Sequence, residues 1–143
     1  MHRLRVTSVL FALLLCAYSD TAALGAESTA NTMSKGVVSD GGSFNIKLKS
    51  TPPIIPLNEM FAIDIEVRAS PKVKDPNPIW VNINAAMPAH KHGMNTQPRV
   101  EDHGKGHFVV RGMLFHMAGD WELTLDIAKG SIHEQAKIPL NIE

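Results

Sequence analysis

The sequence predicts an all-β fold, and three observations carry that prediction. Apolar residues recur at every second position in several separate runs, prolines and glycines fall mostly between those runs, and no segment keeps an apolar repeat at helical spacing over three turns. Period two marks a strand with one face on a core. Six to seven short strands in about 100 residues, joined by Pro and Gly turns, make a single antiparallel β-sandwich of immunoglobulin-like type the expected architecture, with a small barrel as the alternative.

The runs follow one another along the chain. Phe44, Ile46 and Leu48 form the first, and Phe61, Ile63, Ile65 and Val67 the second. Ile79, Val81 and Ile83 come next, then Phe108, Val110 and Leu114, then Trp121, Leu123, Leu125 and Ile127, and finally Ala136, Ile138, Leu140 and Ile142. "TPPIIPLNE", "SPKVKDPNP", "HMAGDW" and "AKGSIHE" read as the connections. Between the third run and Phe108 lies a long polar stretch, with room for a short strand around Arg99 to Glu101 and a tight turn at "HGKG". Long connections on a rigid sandwich are where binding functions tend to reside.

Ahead of the strands, residues 1–26 have the layout of a secretory signal peptide. Arg3 and Arg5 precede an apolar stretch too short for a comfortable membrane span, and small residues follow, with cleavage expected after Ala23 or Ala26. Leu15 stands where a lipid-modified cysteine needs a small residue before it, which argues against a lipoprotein at Cys16. Residues 27–42 are rich in Ser, Thr, Gly and Asn without a period and are expected to be a flexible leader, leaving 43–143 as one domain. The expected location is the periplasm or the outside of the cell, with no integral membrane span after cleavage.

Cleavage would remove Arg3, Arg5 and Asp20, so 14 basic and 14 acidic side chains become 12 and 13. A nearly neutral chain gives no electrostatic case for nucleic acid or an anionic membrane as partner. The single cysteine leaves with the leader, which excludes a disulfide, a Cys-based zinc site and a thiolate copper centre. Enzymatic motifs are lacking too: there is no Gly-x-Ser-x-Gly elbow, His-Glu-x-x-His helix, phosphate loop or dinucleotide fingerprint.

What stands out is "MPAHKHGMN". Five of the seven histidines (His90, His92, His103, His107, His116) and four methionines (Met87, Met94, Met113, Met117) fall between positions 87 and 117. Residues two apart on an extended segment project the same way, roughly 6 to 7 Å apart at the backbone, so His90, His92 and Met94 can turn toward one ion. Imidazole suits copper, zinc and nickel, whereas thioether selects cuprous ion, so a His-x-His-x-Met run points to copper. The plainer reading stands beside it: His-x-His pairs occur in loops without metal, Gly93 and Asn95 are turn formers, and Met87 fits as an adaptable apolar filler. His103 and His107 flank a glycine turn, the usual setting of solvated side chains. His116 shares parity with Phe108, Val110 and Leu114, which predicts an inward histidine at the core edge, and Trp121 opens an inward-facing run.

"MPAHKHGMNTQP" followed by "GHFVVRGMLFHMAGDWELTLDI" resembles the YtkA-like domain family and its FixH-like relatives over residues 44–143. The family's Met-Pro motif, with His and Met nearby, matches Met87 and Pro88, and its Met-x-Gly-x-Trp turn matches Met117, Gly119 and Trp121. The resemblance implies a small exported or membrane-tethered sandwich associated with heavy-metal handling, above all copper, in bacterial envelopes, sometimes within efflux components, and no known catalytic activity. Together these readings give an exported, non-enzymatic module holding a copper ion through His90, His92 and Met94, with Met87, His107 or His116 completing the set. An interaction or assembly domain that docks on a membrane complex without metal is the alternative.

Overall fold

The computed structural model describes residues 32–143. The expected signal peptide, and the first part of the expected leader, lie outside them. Nine strands run in chain order: β1 (Thr32–Val38), β2 (Phe44–Ile54), β3 (Phe61–Ala69), β4 (Ile79–Met87), β5 (His92–Gly93), β6 (Arg99–Asp102), β7 (His107–Met113), β8 (Gly119–Lys129) and β9 (Ile132–Ile142). They form two antiparallel sheets, β1-β2-β3-β7-β6 and β5-β4-β8-β9, and there is no helix among the described residues. The fold is therefore a sandwich, and the expected all-β class is the observed one.

The alternating runs explain the layers. Phe44, Ile46 and Leu48 on β2, Phe61, Ile63, Ile65 and Val67 on β3, Val81, Ile83 and Ala85 on β4, and Trp121, Leu123, Leu125 and Ile127 on β8 are all buried in one continuous core fed by both sheets. Each buried Val, Leu, Ile or Phe among them stabilises the fold by about 1.5–3 kcal/mol relative to exposure. The intervening residues, such as Lys47, Lys49, Glu66 and Arg68, point to solvent. Closing these hairpins takes little: β8 and β9 meet through Gly130 and Ser131, with Gly130 at φ 58°, as a two-residue loop with glycine first requires.

Two expectations need correction. Residues 27–42 are not a flexible leader throughout, because 32–38 form β1 and pair with β2 in a register that sets Val37 opposite Ile46. Met33 is buried in the core, but "SKGVV" carries no alternation, so period alone could not expose this strand. The strand count is nine, two more than the upper expectation, since β1 and the two-residue β5 have no apolar run of their own.

The end of β7 departs from strict alternation as well. Phe61 pairs with Met113 and Ala62 with Arg111, so Gly112 is an extra residue in the ladder, at φ 80°. This is a glycine bulge, and it shifts the side chains beyond it by one place. Met113 and Phe115 enter the core in place of Leu114 and His116. His116 is therefore on the opposite parity from the one expected, yet it stays half-buried at the core edge against Trp121.

The first turn is tied to the last strand by Glu134. Its carboxylate accepts hydrogen bonds from Ser39 Oγ at 2.6 Å and from the Ser43 backbone N–H at 3.0 Å, and Ser39 is itself buried. Burial raises the pKa of this carboxyl, but hydrogen bonds from Ser39, Ser43 and the Gly41 backbone together outweigh it and hold the pKa below the usual glutamate value. A carboxylate whose pKa is lower folded than unfolded stabilises the protein above its unfolded pKa, and that contribution is lost as pH falls through the folded value. Urea midpoints measured from neutral pH downward should therefore fall on acidification, with a shallower fall in Glu134→Gln; parallel curves would contradict this role.

Candidate metal centre

Two connections bring His90, His92 and His116 to one end of the sandwich. The first is the β4–β5 hairpin, in which Met87 pairs with His92 across a four-residue loop. Pro88 follows the strand, the carbonyl of Met87 accepts from the N–H groups of His90 at 3.1 Å and Lys91 at 2.9 Å, and Lys91 sits at φ 56° to turn the chain back. His92 and Met94 consequently share the inward parity of Met87 and Ala85, with the Met94 N–H donating to the Ala85 carbonyl at 3.3 Å. The second connection links β7 to β8 across the two sheets and carries His116 and Met117.

The imidazole of His92 touches two others. His90 and His92 have ring centroids 5.8 Å apart, and His92 and His116 have theirs 5.2 Å apart. Trp121 backs the inner two, edge-on to His92 at 6.0 Å and to His116 at 5.6 Å. Its indole N–H donates to the Met117 carbonyl at 3.0 Å, which fixes the connection that carries His116. Met117 thus serves Trp121 through its backbone carbonyl, and it is 39% exposed. Met87 is 1% exposed, and its methyl lies 3.0 Å from where a Cβ on Gly119 would stand, so the glycine leaves this thioether its room. Met94 is partly buried against the same core.

The free nitrogens are informative. Nδ1 of His92 lies 3.2 Å from the Gly93 carbonyl; with the proton there, Nε2 keeps a free lone pair, the arrangement by which a neighbouring carbonyl orients a metal-binding imidazole. Nδ1 of His116 is buried without a hydrogen-bond partner. An unsatisfied buried nitrogen is costly in an apolar setting and is relieved by a proton donor or by a metal. An ion about 2.0 Å from one nitrogen on each of two rings, near the tetrahedral angle, sets the centroids about 5.2 Å apart. The His92–His116 spacing fits that geometry.

No group of three or more His, Cys, Asp or Glu side chains stands in a metal-holding arrangement among the described residues. An ion here would rest on the His92–His116 pair and draw a further donor from thioether sulfur. Thioether would favour a soft monovalent ion over zinc, which prefers a closed set of nitrogen, thiolate or carboxylate ligands.

His107 does not belong with the others. It opens β7, whereas His116 lies beyond its other end, and six steps along the strand put His107 about 20 Å from Met113. Its ring stands 5.4 Å from that of His103, its Nε2 lies 3.5 Å from Asp64 Oδ1, and His103 Nε2 lies 3.8 Å from Glu101 Oε2. These are half-exposed side-chain contacts of small energetic weight. Arg111 faces solvent as its parity predicts, with its Nε 3.1 Å from Glu101. Sequence reading therefore grouped five histidines that the fold divides between two ends. It also could not single out His116, whose position depends on the bulge at Gly112.

Comparison with protein families, curated proteins and solved structures finds no match for this chain.

Proposed function

We propose that this protein is an exported, non-enzymatic module that binds cuprous copper at one end of a sandwich and buffers or carries it in the cell envelope. The observation that carries this reading is the pair His92 and His116, at a centroid spacing suited to one ion, with a buried and unpartnered nitrogen on His116. Met87, beside His92 across the hairpin, and Met94 are the nearest sources of sulfur by register. The YtkA-like resemblance is in keeping with this use. So is the order β2-β3-β7-β6 against β4-β8-β9, which supports an immunoglobulin-like reading of the sandwich, with β5 added beside β4.

Chemically, neutral imidazole supplies a directed lone pair and thioether supplies softness, which together favour Cu(I). Protons compete for the imidazole nitrogens, so acid releases the ion. Titration of the mature protein with Cu(I) under ascorbate, or with Ag(I) as a redox-inert substitute, should reach one equivalent. His92→Ala combined with His116→Ala should weaken binding by about 100-fold or more. Binding that is absent in the parent, or undiminished in the double variant, would overturn the proposal.

The second reading, docking on a membrane complex without metal, draws support from two exposed apolar side chains: Met117 at the site, and Trp80, 58% exposed on the outer face of the four-stranded sheet. No helix among the described residues is long and apolar enough to cross a membrane. Capture of one membrane partner equally well by metal-stripped and metal-loaded protein would favour this reading.

A further inference from the structure

We infer that His90 is the exchange ligand of this site: it takes the ion from an incoming donor and passes it to His92, without contributing to the final affinity. This deepens the copper reading above and rests on it.

The order of the three imidazoles carries the inference. His90 is exposed at the tip of the β4–β5 hairpin, His92 is half-buried, and His116 is half-buried with its Nδ1 closed off from solvent. His90 contacts the ring of His92 but makes no ring contact with His116, so His92 stands between the exposed ring and the inner one. The tip is held in shape by the two hydrogen bonds to the Met87 carbonyl and by Lys91 in its left-handed conformation. His90 is thus presented at a fixed point while remaining open on its outer side.

Ligand exchange between a donor and a binding site requires an intermediate in which both hold the ion. A bulky donor meets the exposed ring of His90 before the half-buried pair, and can share an ion with it. In the step proposed, a bond from Cu(I) to a His90 nitrogen forms as one bond to the donor's own soft ligand breaks. The ion then moves to His92 Nε2 and His116 Nδ1 as the remaining donor bonds and the His90 bond are released. Copper stays Cu(I) throughout, no electron moves, and each imidazole enters neutral. At rest His90 is again free, which is why its loss should slow arrival and departure together.

The test uses the mature protein with Cu(I) supplied as its coloured bathocuproine disulfonate complex under ascorbate, following transfer by stopped flow and the final partition by absorbance. His90→Ala should slow transfer in both directions by about tenfold while leaving the final partition within about threefold of the parent, whereas His116→Ala should shift that partition by about 10–100-fold. His103→Ala, at the far end of the sandwich, serves as the control and should change neither. If His90→Ala shifts the partition as much as His116→Ala does, His90 is an equilibrium ligand and the inference fails. If it changes neither rate nor partition, His90 is a bystander and the inference fails equally. A parent that takes no copper at all overturns the copper reading itself, an outcome distinct from either.

Discussion

Trp121→Ala should lower folding stability by about 3–5 kcal/mol, the range for removing a large aromatic from a packed core. The indole is 1% exposed and packs on Phe115 at a centroid distance of 4.7 Å. A typical domain has only about 5–15 kcal/mol in total, so the variant should unfold at a much lower urea concentration. Trp121 also joins core to site, because its N–H anchors the Met117 carbonyl and its edge backs His92 and His116. Trp121→Phe separates these roles: it keeps most of the apolar contact but leaves Met117 without its donor. That variant should lose about 1–2 kcal/mol and weaken Cu(I) binding several-fold by freeing the connection that carries His116. Affinity unchanged in Trp121→Phe would show that the anchor does not position the ligand.

Gly106→Ala should be nearly as damaging, at about 3 kcal/mol or more. The residue stands at φ 77°, and a Cβ there would lie 2.2 Å from the carbonyl oxygen of Val67. Nor can the two strands separate freely, since the Val67 N–H donates to the Gly106 carbonyl at 2.7 Å. Gly104 is the natural control: it shares the left-handed conformation at φ 79° but has open space around it, so Gly104→Ala should cost about 1–2 kcal/mol from conformation alone. Urea denaturation of the two variants side by side measures the contribution of the close approach. Equal losses would refute it.

The layers of this fold were legible in the sequence wherever alternation ran unbroken. On β2, β3, β4 and β8 the buried residues are the ones the period selects, because each strand lies with one face on a shared core. Legibility failed where another rule intervened. β1 buries few side chains and is held by backbone pairing, and β5 is too short to have a period. On β7, a single glycine with no side chain reverses the count. The candidate site was half legible: the common parity of His92 and Met94 could be read directly, as could the proximity of Met87 to the hairpin. His107 was misplaced because nearness in sequence says nothing about which end of a strand a residue occupies.

The bulge at Gly112 has a consequence for any protein built on this plan. A chain of the same length that paired Gly112 as a regular ladder residue would keep the same donors and the same composition, yet the ring at position 116 would turn toward the apolar interior while that of Phe115 turned to water. Counting histidines and methionines among candidate relatives would therefore miss the deciding character. The property to compare is whether the strand that leads to this histidine carries the bulge.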